Sequence, residues 1–218
     1  IATHGETTDL IVRDSNAAPV LDALANQHAT VGQQLSLSFA AHDADLSVWL
    51  RGEVASPGVQ AVAENGDVPV LAAELTAALD ATGRGVSGVG GSAPIPPGGS
   101  VTFEFTTDRS ALSVVSMIIC TNDGFTGLDT QTLPKWPGDE VTLYARGYDA
   151  GTEVNSELRA DIVPAPFCGA GPGSGVSDPE LAEGGVIGKH PTLLGVGDLP
   201  ATFDWKGDVV KITVVNNG

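Results

Sequence analysis

Helix-breaking residues recur through this chain at a density that forbids a helical fold: 28 glycines and 14 prolines lie among 218 residues. Glycine loses the most backbone entropy on ordering, and proline lacks the N–H that a helical ladder needs. Such punctuation permits short strands joined by many turns. Between the turns, apolar side chains recur at every second residue. Val101, Phe103 and Phe105 alternate with Thr102, Glu104 and Thr106, and Leu35, Leu37 and Phe39 alternate with Ser36, Ser38 and Ala40. Val141, Leu143 and Ala145 repeat the pattern, and Val209–Val215 is a β-branched strand interrupted by Lys211. A period of two marks strands that bury one face. Leu112–Ile119, apolar almost throughout, reads as a central strand.

One segment departs from this pattern. Asp67 is placed to cap a helix, Pro69 fits its first turn, Leu71, Leu75 and Leu79 share one face, and Gly83 ends it. The predicted fold is therefore all-β, an antiparallel β-sandwich with one short crossover helix. Neither the stiff Ser92–Gly99 stretch nor the Gly-, Ser- and acid-rich run from Cys168 to Val186 reads as a domain boundary. Residues 34–218 are expected to form one sandwich domain. Residues 1–33 form an N-terminal extension in which Ile1, Leu10-Ile11-Val12 and Val20-Leu21 could act as an edge or donor strand, including one donated to a neighbouring copy.

Charge narrows the partners. A net charge of -17 argues against nucleic acid and anionic membranes, which need clustered Lys or Arg. It suits a salty or cation-rich medium, where counterions screen self-repulsion. With 42% hydrophobic residues and a mean hydropathy of +0.11 the acidity is not a sign of disorder. No apolar run approaches the ~20 residues of a membrane span. The chain opens at Ile1 with no charged-then-apolar leader, which reads as a processed or excised chain. Cys120 and Cys168 are either two buried thiols or one disulfide. The Gly/Pro-rich loop around Cys168 needs an anchor, which favours the bridge and hence an extracellular setting.

Enzyme signatures are missing. Gly83-Arg84-Gly85-Val86-Ser87-Gly88 satisfies G-x-G-x-x-G but follows a helix instead of preceding one, so it reads as a loop and not a dinucleotide cradle. No serine carries the two glycines of a hydrolase elbow. His4, His28, His42 and His190 have no zinc spacing; His42, before Asp43 and Asp45, reads as a solvated turn histidine. Acidic pairs are too numerous to define a glycosidase dyad, and aromatic platforms are scarce.

The chemically richest stretch is Cys120-Thr-Asn-Asp-Gly-Phe-Thr-Gly-Leu-Asp129, read as one loop at the end of the most buried strand. Asn122, Asp123 and Asp129 offer hard oxygens, and Gly124 and Gly127 let carbonyls turn inward, as Ca²⁺ requires. The same residues also spell a strong turn. A second acidic loop, Tyr148-Asp149 to Glu157, could complete a shell through Asp149 or Glu153 if the two loops meet.

At these loops the sequence resembles the spondin domain family in its bacterial form. The resemblance rests on Ala41-His42-Asp43-Ala44-Asp45 leading to Gly52–Gly58, on Val62–Asp67 and its helix, on Ser116–Asp129 and on Tyr148–Glu153, with His190-Pro191 and Asp204-Trp205 in support. It implies a C2-like sandwich, secreted or displayed at the cell surface, non-enzymatic, with Ca²⁺ held at the loops of one end. Asp123 matches the family's acidic ligand position. Asn-Asp-Gly stands where animal members have a Pro-Asp-Trp type sequence. The expected role is structural, in adhesion or extracellular matrix, with a homo-polymer, a matrix or surface protein, or a glycan as partner. The alternative is a glycan- or protein-binding module of a larger bacterial surface protein.

Overall fold

The computed structural model describes residues 11–12, 15–16, 19–20, 35–83, 85–163, 168 and 178–218. The expectations for residues 1–10 and 21–34 lie outside these. In chain order the elements are β1 (Ile11–Val12), β2 (Ser15–Asn16), β3 (Pro19–Val20), β4 (Leu35–His42), α1 (Pro57–Asn65), α2 (Val68–Thr82), β5 (Gly85–Ile95), β6 (Ala111–Met117), β7 (Gly124–Thr132), β8 (Glu140–Asp149), β9 (Gly188–Lys189) and β10 (Asp208–Val215). Strands order as β1-β10-β8-β7-β6-β4-β5, with β9 on β8. Every pairing is antiparallel except that of Ile11 and Val12 with Thr213 and Val214, which is parallel and made within the chain.

The sheet folds over at β8. Its first part, to Arg146, pairs with β10, and its last three residues, Gly147 to Asp149, pair with β7. The two halves enclose one core. Leu37, Phe39 and Ala41 from β4 and Leu112 and Val114 from β6 meet Val210, Ile212 and Val214 from β10, with Val141 and Leu143 from β8 packed against them. The predicted alternations thus point where a sandwich needs them.

β6 is buried along its whole length because a second core lies on its other face. Val115 and Met117 join Ala40 and Phe125 there, under Leu71, Leu75 and Leu79 of α2. Ser38 on this face donates to the Val68 carbonyl at 2.8 Å. The helical cover is a pair and not the single helix expected. α1 adds Val59, Val62 and Ala63, capped by the Ser56 hydroxyl, which accepts from the Val59 N–H, and closed by Gly66 at φ 66°. Ser56-Pro57 and Gly66 were the legible signals for this helix. Asp67 sits at the N-cap of α2 yet makes no side-chain capping bond.

Three further local expectations are corrected. Val101–Phe105 keeps its alternation of exposure but forms no ladder; Phe103 and Phe105 pack on Phe39, with ring centroids 4.8 and 4.5 Å away. The G-x-G-x-x-G run is not a loop: Gly83 caps α2 and Gly85–Gly88 open β5. A Cβ on Gly85 would lie 2.2 Å from the Ala41 carbonyl oxygen, so glycine there serves close strand packing. His42 is fully buried at the end of β4, with Nε2 2.8 Å from the Ser113 hydroxyl, because the strand carries it inward.

Gly127 shows how tightly β7 is set. A Cβ at this position would stand 2.0 Å from the Val114 carbonyl oxygen, a backbone atom that cannot swing away. Gly127→Ala is expected to lower stability by about 2–3 kcal/mol, read from the denaturant midpoint of urea unfolding.

Candidate functional site

β6 ends in a turn that delivers Asn122 and Asp123 to one end of the sandwich. The Ile118 N–H donates to the Gly124 carbonyl at 2.8 Å, and the Thr121 hydroxyl accepts from the Gly124 N–H at 2.9 Å. Cys120, at the head of this turn, is bonded to Cys168, so the bridge is formed. The acidic loop after β8 meets this turn directly. Asp123 Oδ2 accepts from the N–H groups of Thr152 at 2.7 Å and Glu153 at 3.1 Å, and its main-chain carbonyl accepts from the Ala150 N–H at 3.1 Å. Asp123 is fully buried, and its Oδ1 has no partner among the described residues.

Asp149 and Glu153, both buried, stand in the same region. Asp149 accepts from the Gly151 N–H at 2.8 Å and from the Asn155 amide at 2.5 Å. Glu153 accepts from the Asp178 N–H at 2.9 Å. Asn122 instead organises the second loop. Its Oδ1 accepts from the Glu157 N–H at 3.3 Å and its amide donates to the Ser156 hydroxyl at 3.2 Å.

Asp129 is not with them. Residues from Gly124 onward are strand and not loop, so Asp129 lies five residues along β7, roughly 16 Å of extended chain, away from the turn. There its carboxylate accepts from the Val48 N–H at 2.7 Å and from the hydroxyls of Ser47 at 2.7 Å and Ser113 at 3.0 Å. It pins the loop after β4. Gly124 makes room for the Thr121 and His190 side chains and Gly127 for the backbone of β6, which a turn-based reading mistakes for loop freedom.

Two acids in stretches read as acidic, Glu157 and Glu183, were not singled out for this end. Glu183, on a segment whose N–H bonds to the Thr152 carbonyl at 3.2 Å, approaches from the far side. Glu157 is buried and accepts from the N–H groups of Leu194, Gly195 and Val196, bracing the loop they form. Nothing local assigns either one to this end; Glu157, for example, is held by chain 37 to 39 residues further on.

So many carboxylates in so little water raise one another's proton affinity. Burial pushes the Asp123 carboxyl up to about 7, with the charges of Asp149 and Glu183 adding and the two loop N–H groups pulling back. Burial likewise carries Glu153 to about 7, opposed by the Asp178 N–H and aided by Glu64, Asp123 and Asp178. Glu183 is raised by burial and by Asp149. Among the described residues, no three His, Cys, Asp or Glu side chains are grouped to enclose a metal ion. The site is thus a buried, uncompensated set of carboxylates with one orphan oxygen, not a finished cage.

A disulfide-braced, helix-covered β-sandwich with acidic loops gathered at one end defines the class. Residues 25–160, more than half of the chain, match the family model described as Spondin_N, and the chain belongs to that family. It is 33% identical over 127 residues to human Spondin-2 and 34% identical over 128 residues to rat Spondin-2. Each alignment covers 56% of this chain and 38% of the relative, so the chain spans well under half of the relatives it matches. Residues 161–218 lie beyond the family match yet supply β9 and β10. The protein is extracellular, in keeping with its disulfide. No helix among the described residues is long and apolar enough to cross a membrane.

A raised carboxyl pKa in the folded state fixes the sign of the pH response. The protonated acid is favoured by folding, so this contribution is complete below the unfolded value near 4 and is lost as pH rises through about 7. In a chelator-containing buffer the melting temperature is expected to fall between pH 5 and pH 8. Asp123→Asn should flatten that fall; an equally steep profile in the variant would place the titration elsewhere.

Proposed function

We propose that the chain is a non-enzymatic module of extracellular matrix or cell adhesion whose acidic end is braced by Ca²⁺. The family supports the coarse role, and the orphan Asp123 Oδ1 in a buried acidic set carries the calcium reading. A hard divalent cation accepts carboxylate oxygens together with main-chain carbonyls and water, so an incomplete protein cage still offers it a site. Asp123, Asp149 and Glu153 would hold the ion. It would replace the partial protonation that burial otherwise imposes on Asp123 and Glu153, and so cross-brace the turn after β6 and the loop after β8.

Bound Ca²⁺ should raise the melting temperature at pH 8, where the carboxylates repel most, and less at pH 5. Differential scanning calorimetry with EDTA and with added Ca²⁺ reads this directly. An unchanged midpoint at pH 8, with no calcium found by elemental analysis, removes the ion from the account and leaves the matrix role standing. Asp129→Ala should lower stability without altering the Ca²⁺ response, since Asp129 serves the loop at 47–49.

Assembly through the N-terminal segment is the second part of the proposal. Pairing of Ile11–Val12 with the edge of β10 supports it, because a strand that closes an edge within one chain can close the same edge on a neighbour. Deletion of residues 1–30 should then leave a folded monomer where the full chain assembles. Light scattering on both decides, and a full chain that is monomeric at all concentrations overturns this part.

A further inference from the structure

The chain is short of cations, with ten Lys and Arg against 27 Asp and Glu, yet three of the ten line one cleft. Arg146, Lys189 and Lys206 border a cavity of about 390 Å³ walled by Trp205 and His190. The topology makes this opening. β10 pairs with β8 as far back as Arg146, whereas β9 joins β8 only at Tyr148. Gly147, between them, has no side chain to fill the gap, and a Cβ there would stand 2.9 Å from the Trp205 ring.

The charges in this cleft are available. Lys189 and Lys206 are exposed and have no ion-pair partner among the described residues. Arg146 engages Asp208 only through Nε at 3.4 Å, with its side chain 67% exposed, a surface pairing that exchanges easily. Asp204, beside Trp205, is turned toward the Leu193 N–H at 3.4 Å.

His190 adds a directional donor. It is 2% exposed, and its Nδ1 accepts from the Thr192 N–H at 2.9 Å. The neutral ring therefore carries its proton on Nε2, and that N–H has no acceptor among the described residues. A buried donor without an acceptor is costly, and such atoms in native proteins answer to a water, an ion or a ligand.

We propose that this cleft is an anion site for the sulfate or carboxylate groups of an acidic polysaccharide, held by Lys189, Lys206 and Arg146 against the Trp205 wall. The cleft volume is that of a small-ligand site. Net charge does not prevent this. At physiological ionic strength charges more than about 8 Å apart are largely screened, so the local cations govern the approach of a polyanion. A polymer also gains from repeating a weak contact, which a free anion cannot do. The proposal rests on the extracellular reading for access to such polymers; its three cations are not residues of the acidic end, although His190 behind them feels the charges of Asp149 and Glu157 there.

The full chain and its Lys189→Glu/Lys206→Glu variant should be titrated, at physiological salt, with size-defined heparin and hyaluronan fragments and with neutral dextran. Isothermal calorimetry gives the affinities, and sedimentation velocity on the protein alone gives its association state. The native chain is expected to bind heparin fragments and not dextran, and the variant to bind them roughly tenfold more weakly or worse at an unchanged melting temperature. Hyaluronan binding in addition would assign carboxylates as well as sulfates; heparin alone would assign sulfates. Absence of binding by the native chain, or equal binding by the variant, overturns the site. So does salt-sensitive self-association lost in the variant without glycan binding, which would assign the cleft to the acidic surface of a second copy. The calcium response of the melt is a separate readout, so failure here leaves the proposed function untouched.

Discussion

A single buried carboxylate holds the acidic end of this molecule together. Asp123 Oδ2 gathers the N–H groups of Thr152 and Glu153, while its own carbonyl takes the Ala150 N–H. Through these bonds the turn after β6 and the loop after β8 become one unit. The loop in turn organises the segment beyond Asp178 through Glu153. Charge-assisted bonds to backbone N–H groups are among the stronger ones available, yet full burial works against ionisation. Asp123 is therefore held between two demands, which the divalent cation proposed above would meet together.

The covalent brace acts on the same turn. Joining Cys120 to Cys168 closes a loop of 48 residues, for which chain entropy predicts about 4 kcal/mol of stabilisation, largely by restricting the unfolded state. An acidic end that repels itself has need of it. The charge of the chain thus separates into distinct parts: a buried group at the loops, a screened surface, and a small basic cleft on the side where β8 changes partners. The first constrains folding, and the last faces solvent as a place for something anionic.

Much of the fold was legible because burial in a sandwich has a period of two. Leu37, Phe39 and Ala41, Val141 and Leu143, and the β-branched run of β10 all meet the core as their spacing requires. Leu71, Leu75 and Leu79 did the same at helical spacing. What misled was glycine. Gly124 and Gly127 look like freedom in a loop, whereas in the structure the first leaves room for the Thr121 and His190 side chains and the second admits the backbone of Val114 to within a distance no side chain would allow. That error moved Asp129 to the wrong end of β7. Val101–Phe105 shows the converse: an alternating run can serve the core with one face and still make no more than a single bridge, at Phe105.

Sequence by itself determined the class of fold, the acidic character of two loops and the two cysteines, since each depends on composition and local periodicity. Tertiary structure alone decided which acids stand together. Asp123, Asp149 and Glu153 converge because β6 and β8 end at the same side of a folded sheet. Glu157 and Glu183 lie in stretches that read only as acidic and are brought here by packing, and Asp129 is carried off by a strand. The basic cleft likewise has no trace along the chain, for Arg146, Lys189 and Lys206 meet only where β8 passes from β10 to β9. Periodicity reports what one element buries; which charges meet is settled by how distant elements pack.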